Sequence, residues 1–202
     1  AFFPREEFPW LEELESHTDA MREELQALLT GEESFHPYLE QDSHAPQLND
    51  SANVGSMDWS AFYLWRDGEL VQENAARCPR TVAALKRVPA PDVPGQDPTA
   101  LFSRLKPGAR IPPHNGMLNT RLICHLPLIV PPNCGALRVG NTTRPWVEGE
   151  ALVFDDSVEH EAWNDSSQER VVLLFDLWRP ELGDEERRWV RELLQAVQDF
   201  GD

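Results

Sequence analysis

The sequence has few basic residues and no long apolar run. Its 202 residues carry 18 Lys and Arg against 35 Asp and Glu, a formal net charge of −17. Nucleic acids and anionic membrane surfaces are bound through basic patches, so this charge argues against both as partners. A run of about 18 apolar residues is absent, which predicts that there is no integral membrane segment.

Cysteine is also scarce. The three cysteines are Cys78, Cys124 and Cys134, and none forms a CxxC pair. Their odd number and irregular spacing argue against a disulfide framework and against a cysteine-ligated zinc site. One disulfide with one free thiol is the alternative. Reduced thiols favour a reducing compartment, so we expect a cytoplasmic protein.

Helical patterns dominate the first half of the chain. Residues 9–30 place apolar side chains at three- and four-residue spacing, which predicts an amphipathic helix that Gly31 ends. Residues 59–65 (WSAFYLW) predict a strand. Residues 69–88 predict helical segments interrupted at Pro79, with Thr81 as the N-cap of the second one. The prolines and polar residues of 35–57 indicate a loop.

From residue 99 onward the pattern changes to short β-like runs separated by turn residues. Such spacing predicts an antiparallel sandwich or barrel. Pro180 then begins a helix whose apolar stripe includes Trp189, Leu193 and Val197. We therefore predict a single α+β domain over 1–202: a helical N-terminal part (1–98), a jelly-roll core (99–179) and a closing helix (180–202).

Two histidines of the β region are candidate metal ligands. His114 follows two prolines and precedes Asn115-Gly116, and His160 lies 46 residues later at a strand start. Two imidazoles with open coordination positions suit Fe(II). The carboxylate that would complete a facial triad is missing, because Gly116 stands two residues after His114. Nearby substitutes are Asp155, Asp156 and Glu159.

The alternative is that both histidines are partly buried and hydrogen-bonded for structural reasons. The N-terminal histidines His17, His36 and His44 lie among acidic residues, where we expect mostly solvated side chains.

Arg170 is the candidate anion-binding residue. It opens the apolar run 170–175 (RVVLLF), so its guanidinium is predicted to face the interior of the barrel. A buried guanidinium needs an anionic partner, and its planar fork matches a carboxylate. The alternative partner is one of the chain's many acidic side chains.

At this point the sequence resembles the aspartyl/asparaginyl β-hydroxylase family. The resemblance rests on residues 107–116 (PGARIPPHNG), 119–126 (NTRLICHL), 146–150 (WVEGE), 154–164 (FDDSVEHEAWN) and Arg170, in matching order and spacing. Residues 2–4, 8–11 and 73–79 are similar to bacterial members. The resemblance implies a double-stranded β-helix, a cupin-like jelly roll, that uses Fe(II), 2-oxoglutarate as cosubstrate and O₂.

The resemblance also implies roles for particular residues. His114 and His160 match the iron ligands, and Gly116 matches a family glycine whose vacant ligand position is filled by water. The residues that match cosubstrate-binding positions are Arg170, Ser103, His125 and Arg121. Ile123 departs from the family pattern, because animal peptide hydroxylases carry there an arginine that holds the substrate carboxylate.

Three functions follow as hypotheses. The first is hydroxylation of an unactivated carbon, the β-carbon of an Asp- or Asn-like residue in a peptide or in a free or carrier-bound amino acid. The second is hydroxylation of a lipid acyl chain, since lipid A hydroxylases resemble this family. The third is a non-catalytic jelly-roll binding protein. The partner is then a peptide or small-molecule substrate.

Overall fold

In this computed structural model, the described residues are 1–31, 35–39 and 53–200. After a 3₁₀ turn at Arg5–Glu7, the helices are α1 Leu11–Ser16, α2 Thr18–Leu29, α3 Gln72–Arg77, α4 Pro79–Leu85 and α5 Asp184–Asp199. The strands are β1 His36–Pro37, β2 Trp59–Arg66, β3 Glu69–Leu70, β4 Ala100–Leu105, β5 Arg110–His114, β6 Arg121–Ile129, β7 Leu137–Val139, β8 Thr142–Arg144, β9 Leu152–Phe154, β10 His160–Trp163 and β11 Arg170–Trp178.

The strands form two antiparallel sheets. The larger has the order β1-β2-β4-β11-β6-β9, with β3 paired to β2, and the smaller has the order β5-β10-β7-β8. This arrangement is the predicted α+β, cupin-like jelly roll. The two sheets face each other, and α1 to α4 pack on the outer face of the larger sheet.

The central strand β11 shows how the sequence divides the interior into two layers. Its odd-numbered residues from Val171 to Leu177 pack in the core between the larger sheet and the helices. Its even-numbered residues point between the two sheets, because successive side chains of a strand alternate faces. They are Arg170, Val172, Leu174 and Asp176, so this face begins and ends with a charged side chain.

The predicted helix over 9–30 is two helices interrupted at His17. The backbone N–H of His17 donates to the Leu14 carbonyl at 3.1 Å, three residues back, and the Thr18 hydroxyl donates to the Glu15 carbonyl. This tight turn lasts one residue, so the apolar stripe continues across it. The residues at this three- and four-residue spacing are all buried, namely Leu11, Leu14, Thr18, Met21, Leu25 and Leu28.

Two predicted boundaries need correction. β2 lies within the larger sheet beside β4, so the β core extends into the segment predicted as a helical N-terminal part. Thr81 is not an N-cap, because α4 begins at Pro79. Instead the Thr81 hydroxyl and backbone N–H both donate to the buried Glu24 carboxylate, which ties α4 to α2. The loop predicted over 35–57 lies partly outside the described residues.

The predicted C-terminal helix forms, but it begins at Asp184 instead of Pro180, and part of its apolar stripe faces solvent. α5 buries no residue, and Trp189, Leu193 and Val197 are all more than half exposed. The opposite side of α5 contacts the rest of the domain, and there Arg191 pairs with Asp92. Cys78, Cys124 and Cys134 are buried free thiols, which confirms the prediction of no disulfide framework. Among the described helices, none has the length and apolarity needed to cross a membrane.

Candidate active site

A cavity of about 370 Å³ opens between the two sheets. The structure brings all six predicted site residues to its wall: His114, His160, Arg170, Ser103, His125 and Arg121. His114 ends β5 and His160 begins β10 on the smaller sheet, whereas the other four lie on β4, β6 and β11 of the larger sheet. The strand pairing therefore joins residues that are far apart in sequence.

The two histidines lie directly opposite each other in the β5–β10 register, with ring centroids 4.0 Å apart. The Nδ1 of His114 lies 2.8 Å from the Pro112 carbonyl oxygen, and that of His160 lies 3.0 Å from the Val158 carbonyl oxygen. A carbonyl oxygen only accepts, so each ring carries its proton on Nδ1. Both Nε2 atoms then hold the lone pair that a metal ligand requires.

Burial and charge keep His160 in the ligand form. Burial and, to a smaller extent, the neighbouring His114 lower the pKa of His160 to about 4. The ring is therefore neutral at pH 7, and a metal does not have to displace a proton from it.

Asp156, which follows the end of β9, occupies the space that a side chain at position 116 would need. A Cβ built on Gly116 would lie 2.1 Å from Oδ2 of Asp156, so a side chain at position 116 and the Asp156 carboxylate compete for the same space. Asp156 is buried and lines the cavity, and its Oδ1 has no hydrogen-bond partner. Burial raises the pKa of Asp156 to about 6. Position 116 is thus a glycine because Asp156 needs the space.

The other two candidate carboxylates point away from the histidines. Oδ1 of Asp155 accepts hydrogen bonds from the Ser157 hydroxyl and backbone N–H, and Oδ2 accepts one from Arg179. Burial raises the pKa of Asp155, but these bonds outweigh it and the pKa is lowered. Glu159 pairs with Arg138 on the outside. The described part of the chain contains no cluster of three or more His, Cys, Asp or Glu arranged to hold a metal.

Arg170 is a buried guanidinium with few partners. Its side chain is 1% exposed, and its Nε atom has no hydrogen-bond partner. Its Nη1 atom lies 3.4 Å from the Ser103 carbonyl oxygen, and the guanidinium stacks 4.6 Å from the Trp146 ring centroid. Burial lowers its pKa to about 10, so it stays charged at pH 7. Among the described residues, none provides the carboxylate that such a charge normally requires.

Two tryptophans orient the polar groups beside Arg170. The indole N–H of Trp59 donates to the Ser103 hydroxyl oxygen at 3.3 Å, which leaves the hydroxyl proton as a donor toward the cavity. The indole N–H of Trp146 donates to Nδ1 of His125 at 3.4 Å. His125 therefore carries its own proton on Nε2, and burial keeps its pKa well below the usual value. Both groups are neutral hydrogen-bond donors.

Arg121, in contrast, is held by two carboxylates. Its Nη1 atom lies 2.9 Å from Asp97 Oδ1 and 2.7 Å from Asp176 Oδ1. Both aspartates are buried, and Oδ2 of Asp176 also accepts a hydrogen bond from the Thr99 backbone N–H. Burial and the nearby Asp176 raise the pKa of Asp97 to about 7, although Arg121 opposes the shift. We call Asp97, Arg121 and Asp176 the charged triad.

The sequence did not indicate Trp59, Trp146, Asp97 and Asp176 as site residues. Trp146 belongs to a motif that matches the family, which was the available signal for it. The two aspartates contact Arg121 only through the tertiary fold. Of the other histidines, His36 is exposed as expected, His17 is half-buried, and His44 lies outside the described residues.

Comparison with known proteins decides the family. The profile described as aspartyl/asparaginyl beta-hydroxylase matches residues 15–180. The chain belongs to this family. Among curated members, an ornithine lipid ester-linked acyl 2-hydroxylase of Rhizobium tropici is 37% identical over 175 residues, 86% of this chain and 58% of the relative. The human aspartyl/asparaginyl beta-hydroxylase is 38% identical over 132 residues, 65% of this chain and 17% of the relative.

The chain thus spans about six tenths of the rhizobial family member and less than a fifth of the human one. Among solved structures, the cupin domain of Schizosaccharomyces pombe Cnp3 matches 61% of this chain and 67% of its own, with 9% identity and a TM-score of 0.41. Ile123 is buried in the cavity wall opposite Asp176 in the β6–β11 register.

Proposed function

We propose that this family member is an Fe(II)- and 2-oxoglutarate-dependent hydroxylase of an unactivated carbon. The observation that carries the proposal is a buried guanidinium without a carboxylate partner among the described residues, in the same cavity as two histidines whose Nδ1 atoms are anchored to carbonyl oxygens. An anionic ligand and a metal are what such groups bind.

The donor set fits Fe(II). His114 and His160 would supply two imidazole nitrogens, and Asp156 offers an unpartnered carboxylate oxygen in the space beside Gly116. Asp156 could hold a water molecule at the third position or bind the metal itself. When bound, Fe(II) with O₂ oxidises 2-oxoglutarate to succinate and CO₂ and supplies the oxidant that inserts oxygen into a C–H bond.

The protein's own part is to bind and orient the cosubstrate. Arg170 would form a two-point, charge-assisted contact with its distal carboxylate, and the Ser103 hydroxyl would donate to the same group. His125 would donate its Nε2–H to the end of 2-oxoglutarate that faces the metal. We leave Arg121 out of this set, because Asp97 and Asp176 already engage its guanidinium.

Two classes of substrate are candidates for this hydroxylase. Hydroxylation of the β-carbon of an Asp- or Asn-like residue accords with the family's description. Hydroxylation of an acyl chain is the second candidate, and it is favoured by Ile123 in the cavity wall and by the extent of the match to the rhizobial lipid hydroxylase.

The test is 2-oxoglutarate turnover by purified protein with Fe(II) and O₂. We expect succinate and CO₂ to form, slowly without substrate and faster when a screen of peptides, amino acids and acyl lipids reveals a product heavier by one oxygen atom. His160→Ala should abolish turnover, and the matched control His36→Ala should retain it, because His36 is exposed. Absence of both turnover and tight 2-oxoglutarate binding in the wild type would refute the proposal.

A further inference from the structure

The cavity wall is electrically asymmetric along β11. Arg170 and Asp176 lie six residues apart on the same face of this strand, which separates their Cα atoms by roughly 20 Å. Leu174 lies between them, opposite His125 in the register. The positive end is suited to an anionic cosubstrate, so the substrate must enter the remaining space beside Asp176, Arg121 and Ile123.

At this second end of the cavity, the positive charge of the charged triad is already balanced by its own carboxylates. Arg121 is one cation against two buried carboxylates, each within 2.9 Å of its Nη1 atom. Burial lowers the pKa of Arg121, but the nearby carboxylates raise it by more, so the guanidinium stays charged. The triad is neutral when Asp97 is protonated and net negative when it is ionised, because the pKa of Asp97 is about 7. In neither state does Arg121 have an unbalanced positive charge that could attract a substrate carboxylate.

The neighbouring wall is partly apolar, and Arg66, which also lines the cavity, has its Nε atom 3.7 Å from Oδ2 of Asp67. Ile123 faces the cavity as the register partner of Asp176, and Leu174 and Leu39 line the same cavity. A carboxylate desolvated against these side chains would gain no hydrogen bond from them. The lack of net attraction by the triad and desolvation against the apolar side chains therefore both disfavour a bound carboxylate.

Resting on the proposed function, we propose that the substrate presents an uncharged segment to this cavity and that the charged triad excludes substrates with a carboxylate at the reacting carbon. Asp97 and Asp176 are then specificity-determining residues, because they neutralise Arg121, which could otherwise bind such a carboxylate. A neutral amide side chain or an acyl chain fits this end of the cavity, and an aspartate side chain does not.

The test measures binding of two small probes that differ in charge. Protein is loaded with Fe(II) and 2-oxoglutarate without O₂, so that Arg170 is occupied and no turnover takes place. N-acetyl-aspartate amide and N-acetyl-asparagine amide are then titrated by calorimetry. We expect the wild type to bind the asparagine probe at least tenfold more tightly than the aspartate probe.

The variant Asp176→Asn removes one carboxylate of the triad and should raise the affinity for the aspartate probe about tenfold. Asp97→Asn repeats the test from the other side of Arg121. The matched control is Asp165→Asn, which changes net charge equally at an exposed ion pair with Arg110 and should leave both affinities unchanged.

The inference is overturned if the wild type binds the aspartate probe more tightly than the asparagine probe, or if neither triad variant changes the affinity for the aspartate probe. Failure of the proposed function gives a different signature, since the protein would then not bind 2-oxoglutarate in the loading step.

Discussion

Two arginines face the same cavity, and their surroundings differ. Arg170 is buried without a carboxylate among the described residues, and its guanidinium lies over the Trp146 ring. Arg121 is bound by two buried carboxylates. A buried charge that lacks a partner within the protein costs folding free energy, whereas a buried charge with partners costs stability chiefly when one partner is removed.

The comparison separates a binding residue from a structural one. The fold tolerates the cost of Arg170, which is expected where a ligand completes the charge balance. Arg121 has its counter-charges inside the protein, because Asp97 and Asp176 both pair with it. Residue type does not distinguish the two side chains, but their partners do.

The largest expected effect is on stability. Arg121→Met leaves Asp97 and Asp176 buried without a counter-charge and should lower the free energy of unfolding by about 3–5 kcal/mol. Denaturant unfolding followed by circular dichroism measures this. The control Arg110→Met removes an exposed ion pair, which contributes at most about 1 kcal/mol. Equal stabilities for the two variants would contradict a structural role for Arg121.

The next effect is on ligand binding. Arg170→Met removes the guanidinium proposed to hold 2-oxoglutarate and should weaken its binding at least thirtyfold, which corresponds to about 2 kcal/mol. The free energy of unfolding should not fall by a comparable amount, because the variant also removes a buried charge without a carboxylate partner. Titration calorimetry and unfolding on the same protein measure both. A large loss of stability with unchanged 2-oxoglutarate affinity would show that Arg170 is a structural residue and not the one that binds the cosubstrate.

Local pattern predicts many of the elements but not these partners. The apolar run 170–175 and its alternation placed Arg170 on the inner face of a strand, and the short runs after residue 99 indicated the jelly roll. The partners of Arg121 come from a loop 24 residues before it and from another strand 55 residues after it. No local spacing encodes such contacts, because they arise only from the strand register.

The same limit applies to α5 and to Gly116. The periodicity of α5 predicts a helix with an apolar stripe, but it does not tell which surface, if any, covers the stripe. Gly116 indicated a missing carboxylate, but only the fold shows that Asp156 occupies that space.

A smaller effect concerns the pH dependence of the charged triad. Burial raises the pKa of Asp97 to about 7 from an ordinary value of 3.8. The protonated Asp97 side chain therefore contributes to stability fully below about pH 4, and this contribution is lost as the pH rises through 7. Asp97→Asn removes this loss, so the variant should gain on the order of 2 kcal/mol of unfolding free energy relative to wild type between pH 4 and 7. Asp92→Asn, at an exposed ion pair, is the control, and parallel pH profiles for Asp97→Asn and wild type would contradict the prediction.

The smallest effect concerns how Arg170 and His125 are held. Trp146→Phe keeps an aromatic ring beneath the guanidinium but loses the indole N–H that donates to His125 Nδ1. His125 should then no longer be fixed with its proton on Nε2, and 2-oxoglutarate binding should weaken about fivefold, or about 1 kcal/mol, the usual contribution of one hydrogen bond. Nitrogen chemical shifts of the His125 ring report the tautomer directly, which separates this effect from a general loss of packing. Trp178→Phe, a buried tryptophan that does not line the cavity, should change neither readout. An unchanged His125 tautomer in Trp146→Phe would show that other contacts orient this histidine, and that Arg170 binds its ligand without the help of Trp146.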